Sequence, residues 1–337
     1  MITFVRFMKT RSILLAIAAL FCLSRVEAMA EIDTLYFDVR AAYNEEVAGG
    51  NFRGRFFSDH LNINFYGTLT EEIGFRIRHR LNVAPTAVDP LRATDWASII
   101  WRPTDKWTLT AGKQAILVGG YEYDSIPIDV YFYSNFCNNL PQGYAVGVMA
   151  DYQVAEHQSI VFQAINSPLS FGFSDTFAYN LAWQGQLAPW WHTIWTLNAV
   201  EDNYRRFIGY AALGNHLVLD NVAIDLDLID RANLHQKNLF SDYTFITKVI
   251  WSVGKWNYCG KIGYERNDAA NVDESGLAYD TVMAPGYHYL YGGAGIEYFP
   301  YDRDGKLRLH AIWFRDSDTH LNNFQVGVTW RFDIIKR

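Results

Sequence analysis

From about residue 34 onward, apolar and polar residues take turns in short segments, separated by clusters of Gly, Pro, Asn and Asp. A period of two puts one set of side chains on each face of a strand. In the first segment Leu35, Phe37, Val39, Ala41 and Tyr43 share one face, while Thr34, Tyr36, Asp38 and Arg40 share the other. Leu61 to Tyr66 repeats the pattern with asparagines at the polar positions, and Phe75 to Leu81 repeats it with arginines. Further strands are expected at 96–101, 107–115, 144–152, 159–166, 177–183, 191–200, 207–213, 222–228, 244–251, 256–264, 287–298, 307–313 and 324–332. In the last of these Phe324, Val326, Val328, Trp330 and Phe332 alternate with Gln325, Gly327, Thr329 and Arg331. The count is about 16 strands, an even number.

The arginine segment decides what kind of sheet this is. Arg76, Arg78 and Arg80 stand in one column roughly 6 to 7 Å apart, with Phe75, Ile77, His79 and Leu81 pointing the other way. Guanidinium groups stay charged at neutral pH, so the column needs water, acidic partners or an anion around it. A strand with a wet face and an apolar face fits a transmembrane antiparallel β-barrel, with the arginines lining the lumen. Asp225 and Asp227 form a comparable acidic column far along the chain, expected on an opposing wall. The connections also alternate: 67–70, 102–105, 153–156, 253–255 and 300–305 are short, whereas those beginning near Asn44, Asn82, Gly119, Arg231 and Arg266 are longer. Short turns on one side and long loops on the other are a feature of outer-membrane barrels.

The first 30 residues read differently. Arg6, Lys9 and Arg11 precede an apolar run from Ser12 to Phe21, and Ala28-Met29-Ala30 supplies small residues for cleavage, so residues 1–30 are expected to be a Sec signal peptide and residues 31–337 one barrel domain. Removing it takes Arg6, Lys9, Arg11, Arg25 and Glu27 from totals of 29 basic and 36 acidic residues, leaving 25 and 35 and a net charge of −10. That balance argues against nucleic acid as a partner. Mean hydropathy of −0.08 resembles a soluble protein, but alternating lipid-facing and lumen-facing residues average to the same value. Aromatics at 16%, including 11 Trp and 21 Tyr, suit the two interfaces of a bilayer.

Alternation fails between Gly119 and Leu140, which is expected to be a long loop folding into the lumen and narrowing it, or else packing externally. Folded inward, Tyr121, Glu122, Tyr123, Asp124 and Asp129 would form the constriction, with Glu122, Asp124 and Asp129 facing the arginine column. The histidines are scattered, Gly-x-Ser-x-Gly is absent, and Gly292-Gly293-Ala294-Gly295 falls inside a strand pattern, so neither a metal nor a cofactor is expected. Cys259 is expected inside the barrel, where it could pair with Cys137 of the loop. The favoured reading is a passive channel for small hydrophilic or anionic solutes. The alternative is a non-conducting barrel acting as a lipase- or protease-type enzyme, or as a loop-mediated binding protein.

Several stretches together resemble a known family. Phe56 to Gly67, Arg76 to Asn82, Thr94-Asp95-Trp96, Thr110 to Gln114, Pro127 to Tyr131 and Gly327 to Arg331 are similar to the porins related to phosphate-selective porins O and P, nearest to the compact versions in Bacteroidetes-type bacteria. The resemblance implies a 16-stranded barrel in outer-membrane lipid of a Gram-negative bacterium, a homotrimer, an inward loop and an arginine ladder that passes anions. It departs from the phosphate-selective members in its acidic outer loops, with Glu45, Glu46, Asp268, Asp273 and Glu274, and in the Asp333 to Arg337 tail after Phe332.

Overall fold

The computed structural model describes residues 31–87, 89–172, 174–238, 240–301 and 306–336; the expected signal peptide, residues 1–30, lies outside them. The described chain is an antiparallel sheet closed on itself. Its strands are β1 (Glu31–Ala48), β2 (Asn51–Thr68), β3 (Ile73–Arg80), β4 (Thr94–Thr104), β5 (Trp107–Ala115), β6 (Tyr144–Ala155), β7 (Gln158–Asn166) and β8 (Phe177–Ala188). They continue with β9 (Trp191–Glu201), β10 (Phe207–Leu219), β11 (Val222–Arg231), β12 (Tyr243–Val253), β13 (Trp256–Arg266), β14 (His288–Tyr298), β15 (Leu307–Asp316) and β16 (Asn322–Lys336). Each strand pairs with its sequence neighbours, and β1 meets β16 from Thr34↔Lys336 to Val47↔Asn322, which removes both sheet edges. Hydrogen bonding of every strand to two neighbours is what lets a sheet stand in hydrocarbon.

The two faces follow the sequence period. Ile77, Ile99, Val148, Phe162, Leu181, Leu197, Leu213, Ile262, Leu290 and Val326 are exposed on the outside, the set expected to meet lipid. Aromatic pairs flank this band: Trp107–Tyr152, Trp251–Tyr258 and Trp256–Tyr298 lie toward the short-turn end, and Tyr43–Phe56, Tyr179–Phe207 and Tyr243–Tyr264 toward the long-loop end. The inward set is polar and largely buried, with Asp38, Arg40, Asn62, Asn64, Arg78, Gln163, Asn180, Asn198, Asp227, Glu265, Glu297 and Arg308 among it.

One boundary differs from the expectation. The longer connection expected from near Asn44 is instead strand: β1 and β2 run on through Asn44↔Arg55 and Val47↔Phe52 to a turn at Gly49 and Gly50, whose φ values of 55° and 86° suit glycine. Pairing with β16 carries β1 this far, while polar residues on both faces erase the alternation that marks the rest of the strand.

Leu197 lies midway along β9 on the outer face and is 61% exposed. Leu197→Arg is expected to destabilise the barrel by about 2–4 kcal/mol in a bilayer, measured by denaturant unfolding in phospholipid. A cost near zero would place that face outside the hydrocarbon.

Candidate functional site

The segment between β5 and β6, residues 116–143, turns into the lumen. It contains a short helix Tyr121–Asp124, a 3-10 turn Pro127–Asp129 and a second short helix Asn135–Asn139. Gly119 adopts a φ of 101°, and a side chain on Gly120 would sit 2.1 Å from Asp227 Oδ1, so two glycines let the loop lie directly on the wall.

A loop drawn inside a barrel carries backbone groups that need partners. Wall carboxylates supply them at both helix starts. Asp227 of β11 accepts from the backbone N–H groups of Tyr121 and Glu122, each at 2.8 Å. Glu265 of β13 accepts from those of Asn135 at 2.5 Å and Phe136 at 3.0 Å. The middle of the loop is held from other walls. Arg40 of β1 donates to the carbonyls of Ile128 and Val130 at 3.0 and 2.8 Å, and Arg308 of β15 donates to Ile128 O at 3.0 Å and Asp129 Oδ1 at 2.5 Å. Lys261 of β13 binds Glu122 and donates to Phe132 O at 2.5 Å, while the Tyr131 hydroxyl donates to Glu297 at 2.6 Å.

Glu122 and Asp129 therefore meet Lys261 and Arg308 instead of the arginine column. Asp124, with Tyr123, borders the compartment that Arg76 and Arg78 line, together with Trp96 and Tyr144. Arg78 is buried, bonded through Nε to Asp95 at 3.0 Å and through a terminal nitrogen to the Tyr144 hydroxyl at 2.6 Å. Arg80 shares Asp95 at 3.1 Å and donates to Arg92 O at 2.6 Å. Arg76 has no carboxylate within 4.0 Å among the described residues; its guanidinium lies 3.7 Å from the Trp96 ring centre and 5.1 Å from that of Tyr66.

The acidic column does not form one continuous wall. Asp227 is occupied by the loop amides, and Asp225 sits 2.6 Å from His216 Nδ1 and 3.7 Å from Lys248 Nζ. Cys137 and Cys259 are both free thiols, and Cys137 Sγ instead donates to Glu122 at 3.2 Å. Sequence reasoning missed Arg40, Lys261, Glu265, Glu297 and Arg308 as loop anchors. Their lumen-facing positions were legible from the two-residue period, but their partners were not.

The loop divides the lumen. On the β3–β9 side it bounds a cavity of about 310 Å³ lined by Arg76, Arg78, Trp96, Tyr144 and Asp124; on the β10–β15 side it bounds one of about 400 Å³. Toward the long-loop end, inward residues of β7 to β11 turn apolar, and Ile165, Val200, Tyr210 and Ile229 pack around Phe136 and Leu140 of the loop. Val282 and Met283, from the 267–287 connection, complete this core. Arg231, fully buried, ties that connection down through Asp280 at 2.9 Å, and Arg206 clasps Asp273 at 2.8 Å. The Ser275 hydroxyl and the backbone N–H of Leu277 push the Asp273 carboxyl down to about 2.

Glu265→Ala removes the acceptor for two loop amides. Backbone hydrogen exchange at Asn135 and Phe136 is expected to accelerate at least tenfold, because a hydrogen bond to a charged group contributes about 1.5–3 kcal/mol. Unchanged exchange at both positions would mean that Phe136 packing, and not the Glu265 carboxylate, holds this end of the loop.

Comparisons with known proteins agree with this geometry. An anion-selective porin from Comamonas acidovorans superposes with a TM-score of 0.62 at 10% identity, over 90% of this chain and 100% of that one. A loop L8 deletion mutant of OmpT, an outer membrane protein of Vibrio cholerae, gives 0.60 at 10% identity, over 90% and 99%. The outer membrane channel DcaP of Acinetobacter baumannii gives 0.60 at 11% identity, over 92% and 99%. At these identities the likeness is one of fold. No curated protein sequence matches the chain. Residues 37–193, which run from within β1 to the start of β9 and include both the arginine strand and the inward loop, match the family model of phosphate-selective porin O and P.

Proposed function

We propose that the protein is a passive porin, a non-enzymatic channel that lets small hydrophilic solutes cross the outer membrane down their gradients, with a preference for anions. The observation that carries this reading is the braced loop. A barrel of 16 strands encloses more space than side chains alone fill, and here a loop crosses that space while open compartments remain on its two sides. The anion preference rests on Arg76, Arg78 and Arg80, which cannot shed charge; Arg76 and Arg78 line one compartment together with Asp124.

The family match and the anion-selective structural relative support the same reading. A homotrimer completes it. On the outer wall, small residues Ala41, Ala311 and Val328 lie between the ridges of Tyr43 and Phe56 and of Trp256 and Tyr298, leaving an apolar groove of about 780 Å³ that a neighbouring barrel could fill. Sedimentation in detergent is expected to give three chains per particle; a monodisperse single chain would remove the trimer and leave the channel.

Purified protein in planar bilayers is expected to conduct in ohmic steps. Replacing Arg76, Arg78 and Arg80 together with Gln keeps donors but removes three charges, so the reversal potential in a salt gradient should shift toward cation selectivity. A folded, heat-modifiable protein that never conducts would overturn the channel. An unchanged reversal potential would instead make the column a structural partner of Asp95.

A further inference from the structure

The compartment between the loop and strands β11 to β15 is lined in a way that a water-filled barrel usually avoids. Ile246 and Ile250 of β12, Cys259 of β13 and Ile312 of β15 occupy lumen-facing positions, where alternation ordinarily puts polar residues. Ile126, Val130 and Phe132 of the loop face them across the cavity. Space is kept by omission: a side chain on Gly295 would meet Ile312 Cδ1 at 2.2 Å, and one on Gly293 would meet Phe132 Cζ at 2.9 Å. The result is a mostly apolar chamber of about 400 Å³, within the size range of small-molecule sites.

Its polar lining carries both signs of charge. Lys248 Nζ is 3.7 Å from Asp225 Oδ2, with side chains 26% and 17% exposed, so that pair is loose. Asp129, although bonded to Arg308, keeps 38% of its side chain exposed. A hydrocarbon would fill the chamber without meeting the exposed sides of Lys248, Asp225 and Asp129, whose partners in the wall satisfy them only in part. An ion of one sign would satisfy one of them and confront the other.

We infer that this chamber is a transient binding subsite for a small zwitterion with an apolar body, the chemistry of a hydrophobic amino acid. The apolar part lies against Ile246, Ile250 and Ile312. Its carboxylate turns to Lys248, and its ammonium to the exposed side of Asp225 or Asp129. The inference deepens the channel reading and rests on it: binding must be weak enough for the solute to leave. It also separates the compartments by chemistry, since the other one is lined by Arg76, Arg78, Trp96 and Tyr144.

The test is single-channel current in KCl with L-phenylalanine, L-glutamine, phenethylamine or phenylacetate added in turn. Phenylalanine is expected to interrupt the current longest, because glutamine lacks the apolar body and the other two each lack one charge. Ile250→Asn should shorten those interruptions about tenfold, in keeping with loss of one buried aliphatic contact, and Lys248→Gln should reduce phenylalanine to the level of phenethylamine. Silence in KCl alone would overturn the channel reading and this subsite's role in transport together. Steady KCl current with phenylalanine interruptions no longer than those of glutamine, or unaltered by both substitutions, would overturn the subsite and leave the channel standing.

Discussion

The interior depends on one interaction made twice: a carboxylate on the barrel wall accepting two consecutive backbone N–H groups at the start of a short helix. The first turn of a helix leaves its N–H groups without partners, and inside a barrel that deficit costs more than at a surface. Asp227 meets it at Tyr121 and Glu122, and Glu265 at Asn135 and Phe136. With both ends fixed to β11 and β13, the intervening chain has to reach across the lumen, where Arg40 and Arg308 take its carbonyls from β1 and β15. The loop is thus a brace between walls, and both lumen compartments are consequences of where it lies.

The period of two made the barrel legible from sequence, and it fails in two physically distinct places. Toward the long-loop end, Asn44 to Ala48 stay in the ladder although polar residues fall on both faces, so pairing continues after the alternation has gone. On β10 the opposite holds. Phe207, Ile208, Tyr210, Ala211, Ala212 and Leu213 read as a nearly continuous apolar run because lipid covers one face and the loop's Phe136 core covers the other. The loop itself was visible through its glycines and its broken pattern. Its anchors were not, since Glu122 and Lys261 lie 139 positions apart and nothing local in either segment points to the other.

The same brace redistributes charge. A net charge of −10 on residues 31–337 opposes anion passage only if the acids face the solute path. Much of the acidic inventory does something else: Asp227 and Glu265 hold amides, Asp95 holds Arg78 and Arg80, and Asp59 holds Arg40. The acidic wall expected from Asp225 and Asp227 is correspondingly weak, with one of the pair consumed by the loop and the other shared by His216 and Lys248. Local field follows the unpaired residues, not the total.

By that measure the arginine column is not three equal charges. Arg78 and Arg80 share Asp95, so together they contribute little more than one positive charge to the lumen, and Arg78 is largely buried and bonded to Asp95 and Tyr144 where it borders the compartment. Arg76 differs in kind. It is held flat by the rings of Trp96 and Tyr66, an arrangement that fixes the guanidinium without neutralising it, since an aromatic face attracts a cation yet carries no net charge. Among the described residues of the loop, Asp124 is the carboxylate that borders its compartment, and it stands on a different element from Arg76. With Asp124 of the loop and Asp151 of β6 lining the same compartment, Arg76 is the member of the column whose charge is held in place by rings and not cancelled by a bonded carboxylate, so the proposed anion preference would rest chiefly on it.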